Sequence, residues 1–187
     1  GSGEDRRPVD VTRADTTQVV GDPLAARADS LVRASRHWRA TALLAARLAT
    51  PAGAPAELRL VAARAAAGWE GWTEVDRLLR DAPWLDTQFD GEGRELLARS
   101  ELERGQDAQA DARLALAHAG TDASRLLRRV LLARAFDRAN AQDSAAAAYG
   151  AAALRLPEVA DWLRLRAAGV TPDSAAHKKP GQRLALS

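Results

Sequence analysis

Apolar side chains recur at helical spacing along most of the chain. Leu24, Ala28 and Leu31 lie three or four positions apart, which places them on one face of a helix. The carboxylate of Asp22 can cap this helix, and Pro23 suits its first position because the N–H group that proline lacks has no partner there. The pattern predicts a second helix over about 38–49, which the following proline-rich segment ends.

Beyond residue 55 the chain repeats itself with a period of 35–36 residues. Two large apolar residues precede an Ala-Arg pair three times, at Ala63-Arg64, Ala98-Arg99 and Ala133-Arg134. A short break rich in Gly, Asn or Asp follows each pair. A second apolar helix then follows each break, over about 75–79, 108–119 and 144–154. The repeated unit is therefore a helix, a turn and a helix.

These patterns predict an all-α fold, because the density of alanine and the scarcity of β-branched runs oppose strands. One hairpin cannot bury its apolar stripe alone, so we expect an open superhelical stack of antiparallel helical hairpins with about four repeats. Three segments follow from this prediction: a polar N-terminal lead over 1–20, a repeat domain over 21–170, and the start of a further helix with an irregular tail over 171–187. The first three residues are compatible with a cloning remnant.

The repeats resemble tetratricopeptide units. The best match has the small, aromatic, small and proline positions of that motif in register, at Ala133, Phe136, Ala145, Tyr149, Ala152 and Pro157. The preceding unit has matching residues at Ala98, Gly105, Ala110, Leu114 and Ala117. That unit departs from the motif at Glu101, where an aromatic residue is expected, and at Asp122, where proline is expected. The resemblance implies a scaffold or protein-interaction domain, since such repeats serve many partners.

A narrower resemblance is to the noncatalytic superhelical domain of bacterial soluble lytic transglycosylases. The segments that carry it are 148–149, 156–158, 161–163 and 167–168, together with 68–72 and 90–97. The catalytic glutamate of that family, in its Glu-Ser context, is missing, and Ser100-Glu101 has the reverse order. The resemblance therefore implies a scaffold without hydrolytic machinery, which belongs to a periplasmic parent enzyme and helps it to engage a peptidoglycan strand.

The alternative is a free-standing cytoplasmic module that binds an acidic peptide or protein partner. The two interpretations predict different native chains. The enzyme scaffold requires a signal peptide upstream and a lysozyme-like domain downstream, whereas the module requires a polar capping helix near its C-terminus. The residues around Leu184 make a poor cap, which favours a fragment of a longer chain.

Charge and composition exclude several other functions. The chain has 27 Lys+Arg and 25 Asp+Glu, so its net charge is only +2. Nucleic-acid binding requires a clustered basic face, whereas acidic residues are interleaved throughout this chain. We therefore predict that it does not bind nucleic acid. No apolar run is long enough to span a membrane. Without cysteine, and with three scattered histidines, the sequence predicts no catalytic residue, no metal site and no cofactor.

Three arginines at one repeat position are the candidate binding residues. Arg64, Arg99 and Arg134 each follow the small residue of the first helix, a position that faces the concave groove in tetratricopeptide-like arrays. Three guanidinium groups in a row would bind the carboxylates of an acidic peptide or another anionic polymer. The alternative is a set of local ion pairs, because Glu95 lies four residues before Arg99 on the same helix.

The aromatic residues allow two interpretations. Trp69, Trp72, Trp84 and Phe89 fall within a short segment, where they can form a stacking platform for a sugar or peptide. We favour packing at a repeat junction, with the indole N–H groups bonded locally. Trp38 and Trp162 are expected to serve the same packing purpose at the two ends of the array.

Overall fold

The computed structural model describes residues 21–155 and 160–170, and this part of the chain is all-helical. It contains no strand and holds nine α-helices. In chain order these are α1 (Pro23–Arg33), α2 (His37–Leu44), α3 (Ala56–Gly68), α4 (Trp72–Leu79), α5 (Glu92–Glu103), α6 (Gln109–Ala117), α7 (Asp122–Arg138), α8 (Gln142–Ala153) and α9 (Ala160–Val170). Short 3₁₀ turns at Pro51–Gly53 and Phe89–Gly91 precede α3 and α5. The predicted lead, the predicted tail and Pro157 lie outside the described residues.

The helix ends follow from local side-chain chemistry. Asp22 Oδ1 accepts a hydrogen bond of 2.8 Å from the backbone N–H of Leu24, as the sequence predicts. Thr121 and Ser124 form a reciprocal capping box at the start of α7, with a hydrogen bond of 3.1 Å from the Ser124 N–H to the Thr121 hydroxyl. The second helix is shorter than predicted, because it ends at Leu44 and gives way to turns.

The turns between paired helices share one backbone conformation. Residues with left-handed φ lie between α1 and α2, between α3 and α4, between α5 and α6, and between α7 and α8. They are Ser35 (φ 57°), Glu70 (φ 62°), Gly105 (φ 73°) and Asn140 (φ 58°), each 35 residues after the one before. Such a residue ends a helix by turning the chain back on it.

Each helix contacts the next along the chain, and the odd-numbered helices also contact one another. The additional contacts join α1 to α3, α3 to α5, and α5 to α7. Each of these helices buries an alanine completely, at Ala28, Ala63, Ala98 and Ala133. A small side chain at such a contact allows two helix axes to approach closely.

The apolar core of the described residues is divided among successive helices. One cluster joins α1 to α5 and includes Leu58, Leu79 and Leu97. A second joins α5, α6 and α7, and a third joins α7, α8 and α9 around the fully buried Tyr149. Burying one such large side chain stabilises the fold by about 1.5–3 kcal/mol. Neighbouring hairpins therefore stabilise one another in sequence rather than around one centre.

One predicted register is wrong. The sequence match placed Ala110, Leu114 and Ala117 in the core of α6, but all three are exposed. The structure instead buries Ala108, Ala112 and Ala115. These buried alanines begin three positions after Gly105, at Ala108 directly before α6, whereas those of α8 begin five positions after Asn140, at Ala145. The Asp107 carboxylate accepts a hydrogen bond of 3.0 Å from the N–H of Gln109, the first residue of α6.

Candidate functional site

Arg64 forms ion pairs with two acidic neighbours. Its Nε and Nη2 donate to the two carboxylate oxygens of Glu92 at 2.5 and 2.6 Å, and its Nη1 donates to Asp29 at 3.3 Å. The hydrogen bonds to Glu92 outweigh desolvation and raise the pKa of the Arg64 guanidinium. This arginine links α1, α3 and the start of α5, so its fork is already occupied.

Arg99 and Glu95 do not form the predicted pair. The guanidinium carbon of Arg99 lies 5.3 Å from the ring centroid of Trp72, a cation–π contact. Glu95 Oε2 instead accepts from Nε of Arg128 at 2.8 Å. The local-pair interpretation of Glu95 and Arg99 is therefore wrong, because the nearest partner of each comes from another helix.

Arg128 is a buried clamp rather than part of a basic surface. It is 3% exposed, and its Nη1 donates to the backbone carbonyls of Asp90 at 2.5 Å and Ala115 at 2.7 Å. It thus connects α7 to the turn before α5 and to the end of α6. Asp90 itself has a left-handed backbone, and Gly91 is the N-cap of α5.

Arg134 lies at a cleft that three arginines line. Its Nη2 donates a hydrogen bond of 3.1 Å to Oε1 of Glu103. A cleft of about 430 Å³ opens here between α5, α7 and α9. Its lining consists of Leu102, Glu103, Arg134, Asp137, Arg138, Asn140 and Arg166. Three guanidinium groups and two carboxylates give this lining a formal charge of +1.

Two arginines of the cleft differ in how they are held. Arg166 Nη2 donates to Asp137 at 2.7 Å, and its guanidinium carbon lies 5.7 Å from the ring centroid of Tyr149. The Arg138 side chain is exposed, and within 21–155 and 160–170 it forms neither a hydrogen bond nor an ion pair. Its Nη2 lies beside the turn at Gly105, where an added Cβ would come within 3.1 Å of it. Sequence reasoning missed Arg138 and Arg166, which do not occupy the repeated Ala-Arg position.

A buried carboxylate lies between α4, α5 and α6. Glu101 Oε1 is 3.4 Å from Arg80 Nη2, and its Oε2 has no hydrogen-bond partner among the described residues. Burial raises the pKa of Glu101 to about 7, and the adjacent Asp111 adds to the effect. Arg94 holds Asp111 at 2.8 Å. From the sequence, Glu101 is notable only because the tetratricopeptide motif has an aromatic residue at that position.

The aromatic residues form pairs rather than one platform. Trp84 is 6% exposed and packs edge-on against Phe89 at 5.4 Å between ring centroids, as the packing interpretation predicts. Its buried Nε1–H has no hydrogen-bond partner among the described residues, so the predicted local bonding of the indole N–H is wrong at Trp84. Trp69 donates from Nε1 to the Thr41 hydroxyl at 2.9 Å and meets Trp38 edge-on. Trp38 is 66% exposed. Trp38 therefore packs only through its edge-on contact with Trp69, and Trp162 is also exposed, so neither fills a buried gap at an end of the array.

The described part of the chain holds no group of three or more His, Asp or Glu side chains that could bind a metal ion. Among its helices, none is both long and apolar enough to cross a membrane.

Comparison with known proteins identifies no relative: no protein-family model, curated protein or solved structure matches the chain. The fold and the contacts within the cleft are therefore the basis for assigning a function to this chain.

Proposed function

We propose that this chain is a noncatalytic helical-repeat scaffold that binds an extended segment of a partner protein in the cleft between α5, α7 and α9. The observation that carries the proposal is the spacing of the turns. Four left-handed turn residues, from Ser35 to Asn140, lie 35 residues apart. The four fully buried alanines from Ala28 to Ala133 have the same spacing, one in each odd-numbered helix up to α7.

Regular spacing of both turns and close helix contacts supports an open stack of hairpins. In such a stack each unit contacts mainly its neighbours, and the first helices of successive hairpins line one continuous surface. The contacts of α1 with α3, α3 with α5 and α5 with α7 fit this arrangement. The division of the core into successive clusters fits it as well.

The lining of the cleft favours a protein segment over a small apolar ligand. Small-molecule sites are mostly apolar with a few polar groups, whereas this cleft has one apolar side chain, Leu102, among seven lining residues. Charged and amide groups at its rim can pair with side chains and with the backbone of an extended peptide. The resemblance to lytic transglycosylases makes a peptidoglycan strand the alternative occupant, in the periplasm and through a parent enzyme.

A binding panel tests the proposal. Fluorescently labelled acidic, basic and neutral peptides of equal length are titrated against the full chain, and purified peptidoglycan fragments are titrated in parallel. We expect saturable binding of at least one peptide class and no turnover of peptidoglycan. Absence of binding by every peptide, or release of cleaved glycan, would contradict a noncatalytic peptide-binding scaffold. Binding of glycan fragments alone would favour the transglycosylase scaffold instead.

A further inference from the structure

We infer that the cleft contains a carboxylate-binding subsite centred on Arg138, and that Glu103 competes with the ligand for the neighbouring Arg134. This inference rests on the proposed function, because it names the chemistry that a bound segment presents to the cleft. The occupant is an acidic protein segment with isolated carboxylates.

Arg138 is the available cation of the cleft. It lies in the last turn of α7, and within the described residues no carboxylate contacts it. Its guanidinium lies against Gly105, whose missing side chain leaves room for it beside the turn. A guanidinium presents a planar fork of donors that matches the two oxygens of a carboxylate. The side-chain amide of Asn140, which also lines the cleft, adds a further donor.

The charges of the lining select among anionic ligands. Glu103 and Asp137 lie in the same cleft as the three arginines, so a densely charged polymer would meet two like charges there. One open guanidinium, flanked by two that are already paired, suits a segment that carries separated carboxylates. A nucleic-acid or polyphosphate backbone, whose charges are closely spaced, does not suit this cleft.

Glu103 is positioned as an internal competitor. Its contact with Arg134 is a single hydrogen bond of 3.1 Å between half-exposed side chains. Such an exposed pair is weak and screened by salt, so a ligand carboxylate can replace it at small cost. Removing the charge of Glu103 should therefore leave Arg134 open and strengthen binding, whereas removing the charge of Arg138 should weaken it.

The test uses two peptides and four proteins. The probe is a labelled peptide with glutamates separated by alanines, and its matched control carries glutamine at each glutamate. Both are titrated by fluorescence anisotropy against the wild-type chain and the variants Arg138→Gln, Glu103→Gln and Arg27→Gln. Arg27 is the control because it is an exposed arginine of α1 without an ion pair among the described residues.

We expect Arg138→Gln to weaken binding of the acidic probe about tenfold or more, and Glu103→Gln to tighten it a few-fold. Arg27→Gln should leave it unchanged, and the glutamine peptide should bind weakly to all four proteins. All four should have the same helical circular dichroism, because the substituted side chains are exposed. Arg27→Gln removes the same charge as Arg138→Gln outside the cleft, so unchanged binding by Arg27→Gln distinguishes this subsite from a general loss of positive charge.

The outcomes separate this inference from the proposed function. If both peptides bind the wild-type chain equally, or if Arg138→Gln changes nothing, the carboxylate subsite is wrong while the peptide-binding scaffold stands. If Glu103→Gln weakens binding, Glu103 is a contact rather than a competitor, and the proposed exchange is wrong. If no peptide of the panel binds, both the subsite and the proposed function fail.

Discussion

Replacement of Glu101 by glutamine should make the chain more stable above neutral pH. The Glu101 side chain is buried between Arg80 of α4 and Asp111 of α6. Burial, and then the charge of Asp111, raise its pKa to about 7. Glutamine resembles the protonated acid, because its amide can donate to Asp111 while its carbonyl oxygen accepts from Arg80. The substitution therefore removes a costly ionisation and keeps the polar contacts.

The sign and size follow from proton linkage. In the unfolded chain the glutamate loses its proton near its ordinary pKa of 4.5, whereas in the folded chain it keeps the proton until about pH 7. Between these values the folded state binds more protons than the unfolded state, so stability falls as pH rises. The full shift in the Glu101 pKa corresponds to at most about 3 kcal/mol in the free energy of unfolding. Because Asp111 can share the proton, we expect a loss of about 1–3 kcal/mol.

Urea unfolding followed by circular dichroism measures this effect. The free energy of unfolding is compared at pH 4.5, 6 and 8 for the wild type, Glu101→Gln and Glu57→Gln. Glu57 is a matched control because it is exposed and forms no ion pair within the described residues. We expect Glu101→Gln to equal the wild type at pH 4.5 and to exceed it by about 1–3 kcal/mol at pH 8.

Taking differences from the wild type cancels the other groups that face Glu101. Arg80 and Asp111 act on Glu101 directly. The groups paired with these two, or with their partners, are Asp76, Arg104, Arg94, Asp86 and His118. If Glu101→Gln were less stable than the wild type at pH 8, the buried carboxylate would be a favourable member of an ion-pair network. The argument from desolvation would then be wrong.

Three further substitutions test the packing. Arg128→Ala should destabilise the chain by roughly 3 kcal/mol in urea unfolding, because it leaves the buried carbonyl of Ala115, the partly buried carbonyl of Asp90 and the carboxylate of Glu95 without their donor. Arg125→Ala, on the exposed side of α7, should cost less than about 1 kcal/mol, and equal losses would refute the clamp. Ala98→Leu should lower the melting temperature, because Ala98 is completely buried and overpacking there costs about 1–3 kcal/mol of the free energy of unfolding. An unchanged melting temperature would show that α5 has free space at this position. Gly105→Ala should cost about 1 kcal/mol, because φ at this turn is 73°, and a neutral result would contradict the left-handed turn.

The existence and pairing of the helices could be predicted because they depend on local pattern. The buried alanines at 63, 98 and 133 lie at the spacing read from the sequence, and Asp22 caps the first helix as expected. The register of α6 could not be predicted in the same way. Two residues fewer separate its core from the preceding turn, and alanine occupies both the true and the false positions. In an alanine-rich helix the composition of the two faces differs too little to fix the register.

The candidate site was predictable only in part, because the partners of an arginine come from other helices. The three arginines occupy the same position in successive repeats, yet their partners differ. Arg64 pairs with Glu92, Arg99 lies over Trp72, and Arg134 pairs with Glu103. A periodic sequence fixes where a side chain starts on the backbone. It does not fix what lies opposite, since the facing residues do not repeat.

The proposed function therefore depends on residues that do not follow the repeat. Arg64 already donates through Nε and Nη2 to both carboxylate oxygens of Glu92 and through Nη1 to Asp29, so a ligand carboxylate would compete with two acidic residues there. Arg138 is exposed and unpaired in the described region, and it lies beside the turn at Gly105. A ligand that bound through the repeated arginines would have to break a bidentate ion pair at Arg64, whereas at Arg138 it would break none. The cleft at α5, α7 and α9 is thus the less costly place for an acidic segment to bind.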